Sequence, residues 1–136
     1  MSQRPYENYM LITDLDGTLI PRGGIVSAEN RAAVQAFVDG GGHFGIATGR
    51  TPEAAGGYVK ELPINAPCVF FNGSMLYDWD KQQVLATRPL PPTADGDKTI
   101  WPRFAQACLE HFREACIEIY TADNCHIISP AAYDDP

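Results

Sequence analysis

Two aspartates separated by a single residue follow an apolar run near the start of the chain. The run Tyr9-Met10-Leu11-Ile12-Thr13 is typical of a buried parallel strand, and Asp14-Leu15-Asp16-Gly17-Thr18 comes directly after it. Gly17 allows the tight turn that a loop at a strand end needs. Burying two carboxylates there is unfavourable unless a cation compensates, and Mg²⁺ takes its ligands from carboxylates, backbone carbonyls and phosphate. The pattern therefore indicates a magnesium site, with a solvated Asp- and Gly-rich turn as the alternative.

A second group of polar residues follows the next two predicted strands. Thr48-Gly49-Arg50 comes after one of them and Asn72 after the other. A hydroxyl, an open backbone amide and a guanidinium are suitable donors to a phosphate, and the start of the following helix adds a positive dipole end. Thr48 and Gly49 also suit a plain strand-to-helix turn, and Asn72-Gly73 is a strong hairpin-turn dipeptide. The conjunction with the aspartate pair is what favours an anion site here.

These groups meet only if the elements before them form one parallel sheet. The three predicted strands are residues 9–13, 43–47 and 68–71. Ser27 has the character of a helix cap, and Thr51 with Pro52 predicts the start of a second helix that ends before Pro63. The first 72 residues therefore predict a βαβαβ unit of the α/β class. Right-handed crossovers would make its strands parallel and bring their carboxyl ends to the edge where such sheets bind ligands.

The rest of the chain predicts a hairpin, a linker and a second group of elements. Residues 75–77 and 84–86 flank a polar stretch, as the two strands of an antiparallel hairpin do. A proline-rich segment between Arg88 and Asp97 indicates a linker. Apolar residues at four-residue spacing then predict a helix over residues 99–115, and a second hairpin follows over residues 117–128.

Composition narrows the class of protein. The chain has 136 residues, of which 45% are apolar, and its formal net charge is −7. This mixture predicts a folded globular chain and argues against binding of nucleic acid through bulk charge. No apolar run approaches the length of a membrane span, and the start lacks the apolar stretch of a secretory signal, so we expect a cytoplasmic protein without a membrane partner. The four cysteines match no zinc or redox spacing, and we expect reduced, mostly buried thiols.

The aspartate pair and the polar groups after it resemble the motifs of the haloacid dehalogenase (HAD) superfamily of aspartate-nucleophile phosphotransferases. The first motif is Asp14-Leu15-Asp16-Gly17-Thr18-Leu19, the second is Thr48-Gly49-Arg50, and Asn72-Gly73 follows the third strand. The chain is most similar to the Cof-type branch of sugar-phosphate and small-metabolite phosphatases, which insert a large α/β cap after that strand. The resemblance covers residues 8–78. It implies that residues 1–88 are the N-terminal part of a HAD-like Rossmannoid core and that residues 89–136 are a partial cap.

The resemblance also implies a mechanism. Asp14 would attack phosphorus and form an aspartyl-phosphate, and Asp16 would act as the general acid and base. Mg²⁺ would bridge Asp14, the backbone carbonyl of Asp16 and the phosphate of a small phosphorylated substrate. The residues assigned to phosphate or substrate are Thr18, Thr48, Gly49, Arg50 and Asn72. The segment Pro21-Arg22-Gly23-Gly24 matches the flexible flap that the family places after its first motif.

Two parts of the family pattern have no match in this chain. The family needs a lysine after the cap and a later acidic motif that completes the metal shell. Lys60, Lys81 and Lys98 all precede the point where the core should resume, and Asp134-Asp135 follows a predicted cap hairpin. The family's two further core strands are also missing, which would leave the first strand as an open edge. We therefore expect the N-terminal portion of a longer enzyme, weakly active or inactive alone, whose edge a missing C-terminal half, self-association or another partner covers.

Two further functions stay open at this point. The half-domain could be a non-catalytic module that pairs with another chain or binds a phosphorylated ligand without turnover. A phospho-accepting signalling receiver also uses carboxylates at the end of a parallel strand. Its phosphorylated aspartate normally lies on the third strand, where this chain has Phe71-Asn72-Gly73. The leading hypothesis is a Mg²⁺-dependent phosphatase.

Overall fold

Five strands form one sheet in the first of the two compact units of the chain. The computed structural model describes residues 4–21, 24–90, 100–112, 116–121 and 125–128. The units are residues 1–89 and residues 90–136. The strands of the sheet are β1 (Met10–Asp14), β2 (His43–Ala47), β3 (Cys68–Phe70), β4 (Met75–Asp78) and β5 (Gln83–Thr87). They lie in the order β1-β2-β3-β4-β5, which confirms the predicted α/β class.

The first three strands are parallel and end side by side. Asp14, the last residue of β1, pairs with Ala47 at the end of β2, and Ala47 pairs with Val69 of β3. Because these three residues stand in one row across the sheet, the loops that follow β1 and β2 leave the sheet at the same edge. The parallel βαβαβ arrangement expected from the sequence is confirmed.

Two capped helices connect the parallel strands. They are α1 (Ala28–Asp39) and α2 (Pro52–Val59). The side chain of Ser27 accepts a hydrogen bond from the Asn30 amide, and that of Thr51 accepts one from the Ala54 amide. Each cap satisfies a donor that the first turn of a helix leaves unpaired. Pro52 at the first helical position needs no such partner, so both predicted helix starts are confirmed.

The core of this unit lies around β2, β3 and the loop after β1. Its largest fully buried side chains are Phe44, Phe70, Leu15, Ile46, Val26 and Val59. Asn65 anchors the start of β2, since its Oδ1 accepts a 2.7 Å hydrogen bond from the Phe44 amide and its Nδ2 donates to the Gly42 carbonyl. Apolar packing and the two hydrogen bonds of the Asn65 side-chain amide therefore hold the central strands in place.

Strand β1 is the outer strand of the sheet, and the prediction that it is buried is wrong. Met10 is 60% exposed, Leu11 46% and Ile12 40%. Among the described residues the strand has one neighbour, β2, so an apolar composition alone does not bury it. The open edge that the family comparison implied is present in the first unit.

The turn after β3 ends that strand one residue earlier than predicted. Phe71 and Asn72 have φ angles of 51° and 53°, and Gly73 has a φ of 102°. A left-handed residue cannot continue a strand, so β3 stops at Phe70. The chain reverses here, and β4 runs antiparallel to β3 and then to β5, which confirms the predicted hairpin.

The second unit contains a helix and a hairpin among its described residues. They are α3 (Ile100–His111), β6 (Ile117–Tyr120) and β7 (Cys125–Ile128), with β6 and β7 antiparallel. The predicted helix covered residues 99–115, of which residues 99 and 113–115 lie outside the described ones, as do residues 91–97 of the predicted linker. All four cysteines are free, but only Cys68 is buried, so the expectation of mostly buried thiols is wrong. Among the described helices, none has the length and apolarity that crossing a membrane requires.

Candidate functional site

The loop after β1 folds back on itself and leaves the Asp14 side chain exposed. Gly17 adopts a φ of 80° and its amide donates a 2.7 Å hydrogen bond to the Ile20 carbonyl. The Ile20 amide in turn donates to the Leu15 carbonyl at 2.8 Å, and Leu15 and Ile20 are buried. The Thr18 hydroxyl donates to the Asp14 carboxylate over 3.4 Å. The buried side chains of Leu15 and Ile20 therefore anchor the loop that carries the two aspartates.

Thr48 starts a second, tightly bonded turn beside Asp14. Its amide donates to the Val69 carbonyl at 2.9 Å, which extends the pairing of β2 with β3 by one residue. Its hydroxyl accepts a 3.2 Å hydrogen bond from the Arg50 amide and the residue is only 6% exposed. A hydroxyl that accepts one hydrogen bond still has its own proton to donate.

Asn72, in the turn after β3, packs against this second turn. Its amide donates to the Thr48 carbonyl at 3.2 Å, and the Phe71 amide donates to the Arg50 carbonyl at the same distance. The approach is close, since a Cβ atom added to Gly49 would lie 2.9 Å from the Asn72 Oδ1 atom. Glycine is therefore required at position 49 for this side chain to stay where it is. Asn72 is at once part of a reversing turn and a neighbour of the Thr48 turn.

The strongest polar contact of the site joins Asp16 to Arg50. Arg50 Nε donates to Asp16 Oδ2 at 2.8 Å and Arg50 Nη2 donates to Asp16 Oδ1 at 2.7 Å. The Asp16 side chain is 51% exposed and the Arg50 side chain is 31% exposed. The hydrogen bonds from Arg50 hold the pKa of the Asp16 carboxyl below its usual range, and the same bonds raise the pKa of Arg50. Asp16 is therefore an ionised carboxylate with both oxygens occupied.

A pocket of about 500 Å³ lies over this ion pair. Asp16, Arg50 and Tyr58 form its polar wall, and Ile20, Pro21 and Gly24 are among its other lining residues. The structure thus brings two of the predicted site residues, Asp16 and Arg50, into one pocket, whereas Asp14, Thr18, Thr48, Gly49 and Asn72 do not line it. Of the predicted flap, Arg22 and Gly23 lie outside the described residues.

Tyr58 is a pocket residue that the sequence reasoning missed. Its ring lies under the Arg50 guanidinium, with 4.6 Å between the guanidinium carbon and the ring centroid. The signal that could have found it is helical spacing, because Tyr58 follows the Thr51 cap by seven residues, or two helical turns.

The residues available for a metal ion are few. Among the described residues, no three His, Cys, Asp or Glu side chains cluster as a metal site would require. The carboxylate of Asp16 is occupied by Arg50, which leaves the Asp14 carboxylate and the Asp16 backbone carbonyl as candidate ligands. Mg²⁺ commonly keeps several waters and uses one or two carboxylates together with substrate phosphate, so these oxygens fit that ion.

The two described lysines that were considered for the missing family motif lie away from Asp14 and Asp16. Lys81 pairs with Asp78 at 2.8 Å in the hairpin between β4 and β5. Lys60 is the cap residue at the end of α2, at the opposite end from Thr51. Lys98 and Asp134-Asp135 lie outside the described residues.

Comparisons with known proteins point to one family. Residues 11–135 match the family model of the haloacid dehalogenase-like hydrolases. The chain is 32% identical over 117 residues to a 5-amino-6-(5-phospho-D-ribitylamino)uracil phosphatase, YwtE, of Bacillus subtilis, and the match covers 86% of this chain and 36% of that protein. It is 31% identical over 83 residues to the pyridoxal phosphate phosphatase YbhA of Escherichia coli, covering 60% of this chain and 30% of that protein.

Solved structures share the fold. A haloacid dehalogenase-like hydrolase from Bacteroides thetaiotaomicron superposes with a TM-score of 0.68 at 19% identity, covering 93% of this chain and 45% of that one. A HAD subclass IIB sugar phosphatase superposes with a TM-score of 0.63 at 18% identity, covering 88% and 44% respectively. The chain spans less than half the length of each of these relatives.

Proposed function

Because this chain belongs to the haloacid dehalogenase-like hydrolases, we propose that it carries the nucleophile half of a Mg²⁺-dependent phosphate monoester hydrolase that works through an aspartyl-phosphate. The observation that carries the proposal is the row Asp14, Ala47 and Val69 across three parallel strands. This row brings an exposed carboxylate beside the Thr48 turn, at the sheet edge where α/β folds bind ligands.

Asp14 is the proposed nucleophile. One carboxylate oxygen of Asp14 forms a bond to phosphorus as the bond from phosphorus to the leaving oxygen breaks. A water molecule then attacks the same phosphorus, which releases phosphate and restores the Asp14 carboxylate. The support is that Asp14 ends a strand, is exposed, and makes only a long 3.4 Å contact with the Thr18 hydroxyl among its side-chain hydrogen bonds in the described residues.

Asp16 is the proposed general acid and base. It gives a proton to the leaving oxygen in the first step and takes one from the attacking water in the second. Its carboxylate is ionised in the pair with Arg50, so it must turn away from Arg50 and gain a proton before the first step. The Arg50 pair is then a resting arrangement of the site.

The phosphate would be held by groups of the neighbouring turns. The Thr48 hydroxyl retains a proton to donate, and the Gly49 amide belongs to the same turn. Asn72 and Thr18 flank this turn and the Asp14 carboxylate respectively. We assign all four to phosphate binding, and Arg50 to the substrate side of the pocket.

A magnesium ion would be held by the Asp14 carboxylate and the Asp16 carbonyl. When bound, it supplies positive charge that offsets the repulsion between the carboxylate and an anionic substrate. Among the described residues at this point, all groups are acceptors or neutral donors except Arg50, which is neutralised by Asp16. This deficit of positive charge supports the need for a cation.

The proposed substrate is a small phosphorylated metabolite or sugar phosphate. The named relatives act on a phosphoribitylamino-uracil and on pyridoxal phosphate, both small phosphate monoesters. A pocket of about 500 Å³ has the size of a small-molecule site. We place the enzyme in the cytoplasm.

We assign residues 1–88 to the N-terminal part of the core and residues 89–136 to part of a cap. Turnover of substrate by the isolated chain should be weak or absent, because no lysine of the described residues contacts Asp14 or Asp16, but slow transfer of a phosphoryl group to Asp14 should remain. The exposed edge of β1 would be covered by a C-terminal half of the kind that the longer relatives have, or by a second copy of this chain.

A non-catalytic module is the second candidate, and two observations favour it. Arg50 binds both oxygens of the Asp16 carboxylate, as expected for a site that binds a phosphorylated ligand without hydrolysing it. The exposed β1 edge suits pairing with another chain. In this case the pocket would bind a phosphorylated ligand without forming an aspartyl-phosphate.

Incubation with acetyl phosphate whose phosphoryl group is radioactive, in the presence of Mg²⁺, separates the two candidates. The wild-type chain should acquire a label that hydroxylamine removes, because an acyl phosphate reacts with that nucleophile. The Asp14→Asn chain should acquire none, and an Asp80→Asn chain, altered at an exposed aspartate of the β4–β5 hairpin, should label as the wild type does.

Three outcomes are informative. Equal labelling of the wild-type and Asp14→Asn chains would show that Asp14 is not the nucleophile. No labelling of the wild type would favour the non-catalytic module. Ordinary turnover of p-nitrophenyl phosphate that Asp14→Asn abolishes would support the mechanism but show that the unplaced lysine and acidic motif are dispensable.

A further inference from the structure

The guanidinium of Arg50 is used on two sides at once. Its Nε and Nη2 groups bind the Asp16 carboxylate, and its central carbon lies 4.6 Å from the Tyr58 ring centroid. The two contacts do not compete, since the carboxylate accepts from the N–H donors and the aromatic ring attracts the delocalised charge. All three side chains line the same pocket.

Local geometry explains how Tyr58 reaches Arg50 from two helical turns away. Arg50 directly precedes the Thr51 cap of α2, and Tyr58 lies in the last turn of that helix. Side chains on a helix lean toward its N-terminus, so the ring of Tyr58 points back toward Arg50. Ala54, one turn before Tyr58 on the same face, has only a methyl group and leaves room for the ring.

We propose that Tyr58 is a positioning residue that holds Arg50 at the pocket wall and, through Arg50, sets the direction of the Asp16 carboxylate. A free arginine side chain samples many rotamers, and a fixed ring beneath the guanidinium restricts them. We assign this role to the ring of Tyr58, because the guanidinium carbon lies over the ring centroid. The Tyr58 hydroxyl also interacts with Arg50 and raises its pKa, so the ring and the hydroxyl must be tested separately. The role of this contact in the reaction rests on the proposed function.

The contact has a consequence for the step in which Asp16 leaves Arg50. The ring contact does not involve Asp16, so it persists when the carboxylate turns away. Arg50 then stays at the wall with its Nε and Nη2 donors exposed to the pocket, where they are available to an oxygen of the substrate. Tyr58 would thus keep Arg50 in one place through both arrangements of the pair.

Proton exchange at the Arg50 Nε–H group tests the proposal in the metal-free 136-residue chain. The resonance is assigned by its loss in Arg50→Lys. The Tyr58→Phe variant keeps the ring and should exchange at the wild-type rate, whereas Tyr58→Leu should exchange about two- to five-fold faster, the range expected for an exposed cation–π contact. Tyr9→Leu, at a tyrosine that is 63% exposed outside the pocket, should leave the rate unchanged.

The same measurements can overturn the proposal. An unchanged rate in Tyr58→Leu would show that the ring does not hold Arg50. A Phe variant that behaves like the Leu variant would assign the effect to the hydroxyl and contradict a contact through the ring face. If Tyr58→Leu does not fold, Tyr58→Met replaces it, with the same expected increase. None of these readouts depends on phosphorylation of Asp14, so failure of the labelling experiment would leave this result standing, and the reverse also holds.

Discussion

Arg50 binds both carboxylate oxygens of Asp16 across a sequence separation of 34 residues, with distances of 2.8 and 2.7 Å. The pair joins the loop after β1 to the turn after β2. The two loops are brought together because β1 and β2 are parallel and end in register at Asp14 and Ala47. The contact between Asp16 and Arg50 therefore depends on the parallel register of β1 and β2 as well as on the two side chains.

The first prediction concerns the titration of Asp16. Replacing Arg50 by Gln removes the hydrogen bonds that lower the pKa of the Asp16 carboxyl, so that pKa should rise toward its ordinary value of about 3.9. The measurement is a carbon-13 NMR titration of the Asp16 carboxyl in the metal-free chain. Arg31→Gln, which removes a different ion pair with Glu61, should not move it. An Asp16 titration that is the same in wild type and Arg50→Gln would contradict the ion pair.

The lowered pKa of Asp16 also predicts how the unfolding free energy of the chain depends on pH. A carboxyl whose pKa is lowered in the folded state contributes stability that is present above its unfolded pKa and is lost as the pH falls through the folded pKa. The difference in unfolding free energy between wild type and Arg50→Gln should therefore shrink as the pH falls below about 4. The effect should be small, because half of the Asp16 side chain is exposed.

The second prediction compares two glycines. A Cβ atom at Gly49 would lie 2.9 Å from Asn72 Oδ1, and one at Gly57 would meet nothing within 4 Å. Gly49→Ala should displace the Asn72 side chain at a cost of about 1 kcal/mol, the low end of the range for overpacking, because a side-chain end can shift. Gly57→Ala should stabilise the chain by about 0.5–1 kcal/mol, since alanine favours a helix interior. Urea unfolding and the side-chain amide resonances of Asn72 measure both effects, and an Asn72 signal unmoved by Gly49→Ala would contradict the close approach.

The third prediction concerns Asn65 at the start of β2. Asn65→Ala removes the acceptor of the Phe44 amide and the donor to the Gly42 carbonyl. Leaving such backbone groups without partners should lower the unfolding free energy by about 1–3 kcal/mol. Gln83→Ala, which alters an exposed amide side chain on β5, should change it by less than about 0.5 kcal/mol. Equal effects of the two substitutions in urea unfolding would argue against the anchoring role.

The fourth prediction concerns the open edge of the sheet. Leu11 on β1 and Val84 on β5 are each 46% exposed, and their strands are the two edges. If the β1 edge pairs with a second copy, sedimentation velocity should show association that rises with concentration and that Leu11→Lys removes, because a lysine on an edge strand opposes pairing. Val84→Lys should leave it intact. Loss of association in Val84→Lys alone would assign the interface to β5, and a wild-type chain that is monomeric at all concentrations would exclude self-pairing.

Local signals in the sequence were sufficient for most of the secondary structure. Ser27 and Thr51 start helices because their side chains bond to amides three residues later, which is a contact within a few residues. The end of β3 was placed one residue too far because Phe71 takes a left-handed conformation, which a phenylalanine gives no reason to expect. The apolar composition of β1 predicted burial, but burial depends on neighbours in the sheet, and β1 has one.

The sequence by itself determined which chemical groups stand at the strand ends, because short-range rules of strands, caps and turns place Asp14, Thr48 and Asn72 at the end of a strand or shortly after it. Only the tertiary structure decided what those groups contact. The pairing of Asp16 with Arg50, the ring of Tyr58 under that arginine and the exposure of β1 all depend on how separate segments are arranged in space. Such contacts are set by the register of the sheet and the packing of α2, which no local pattern of residues encodes.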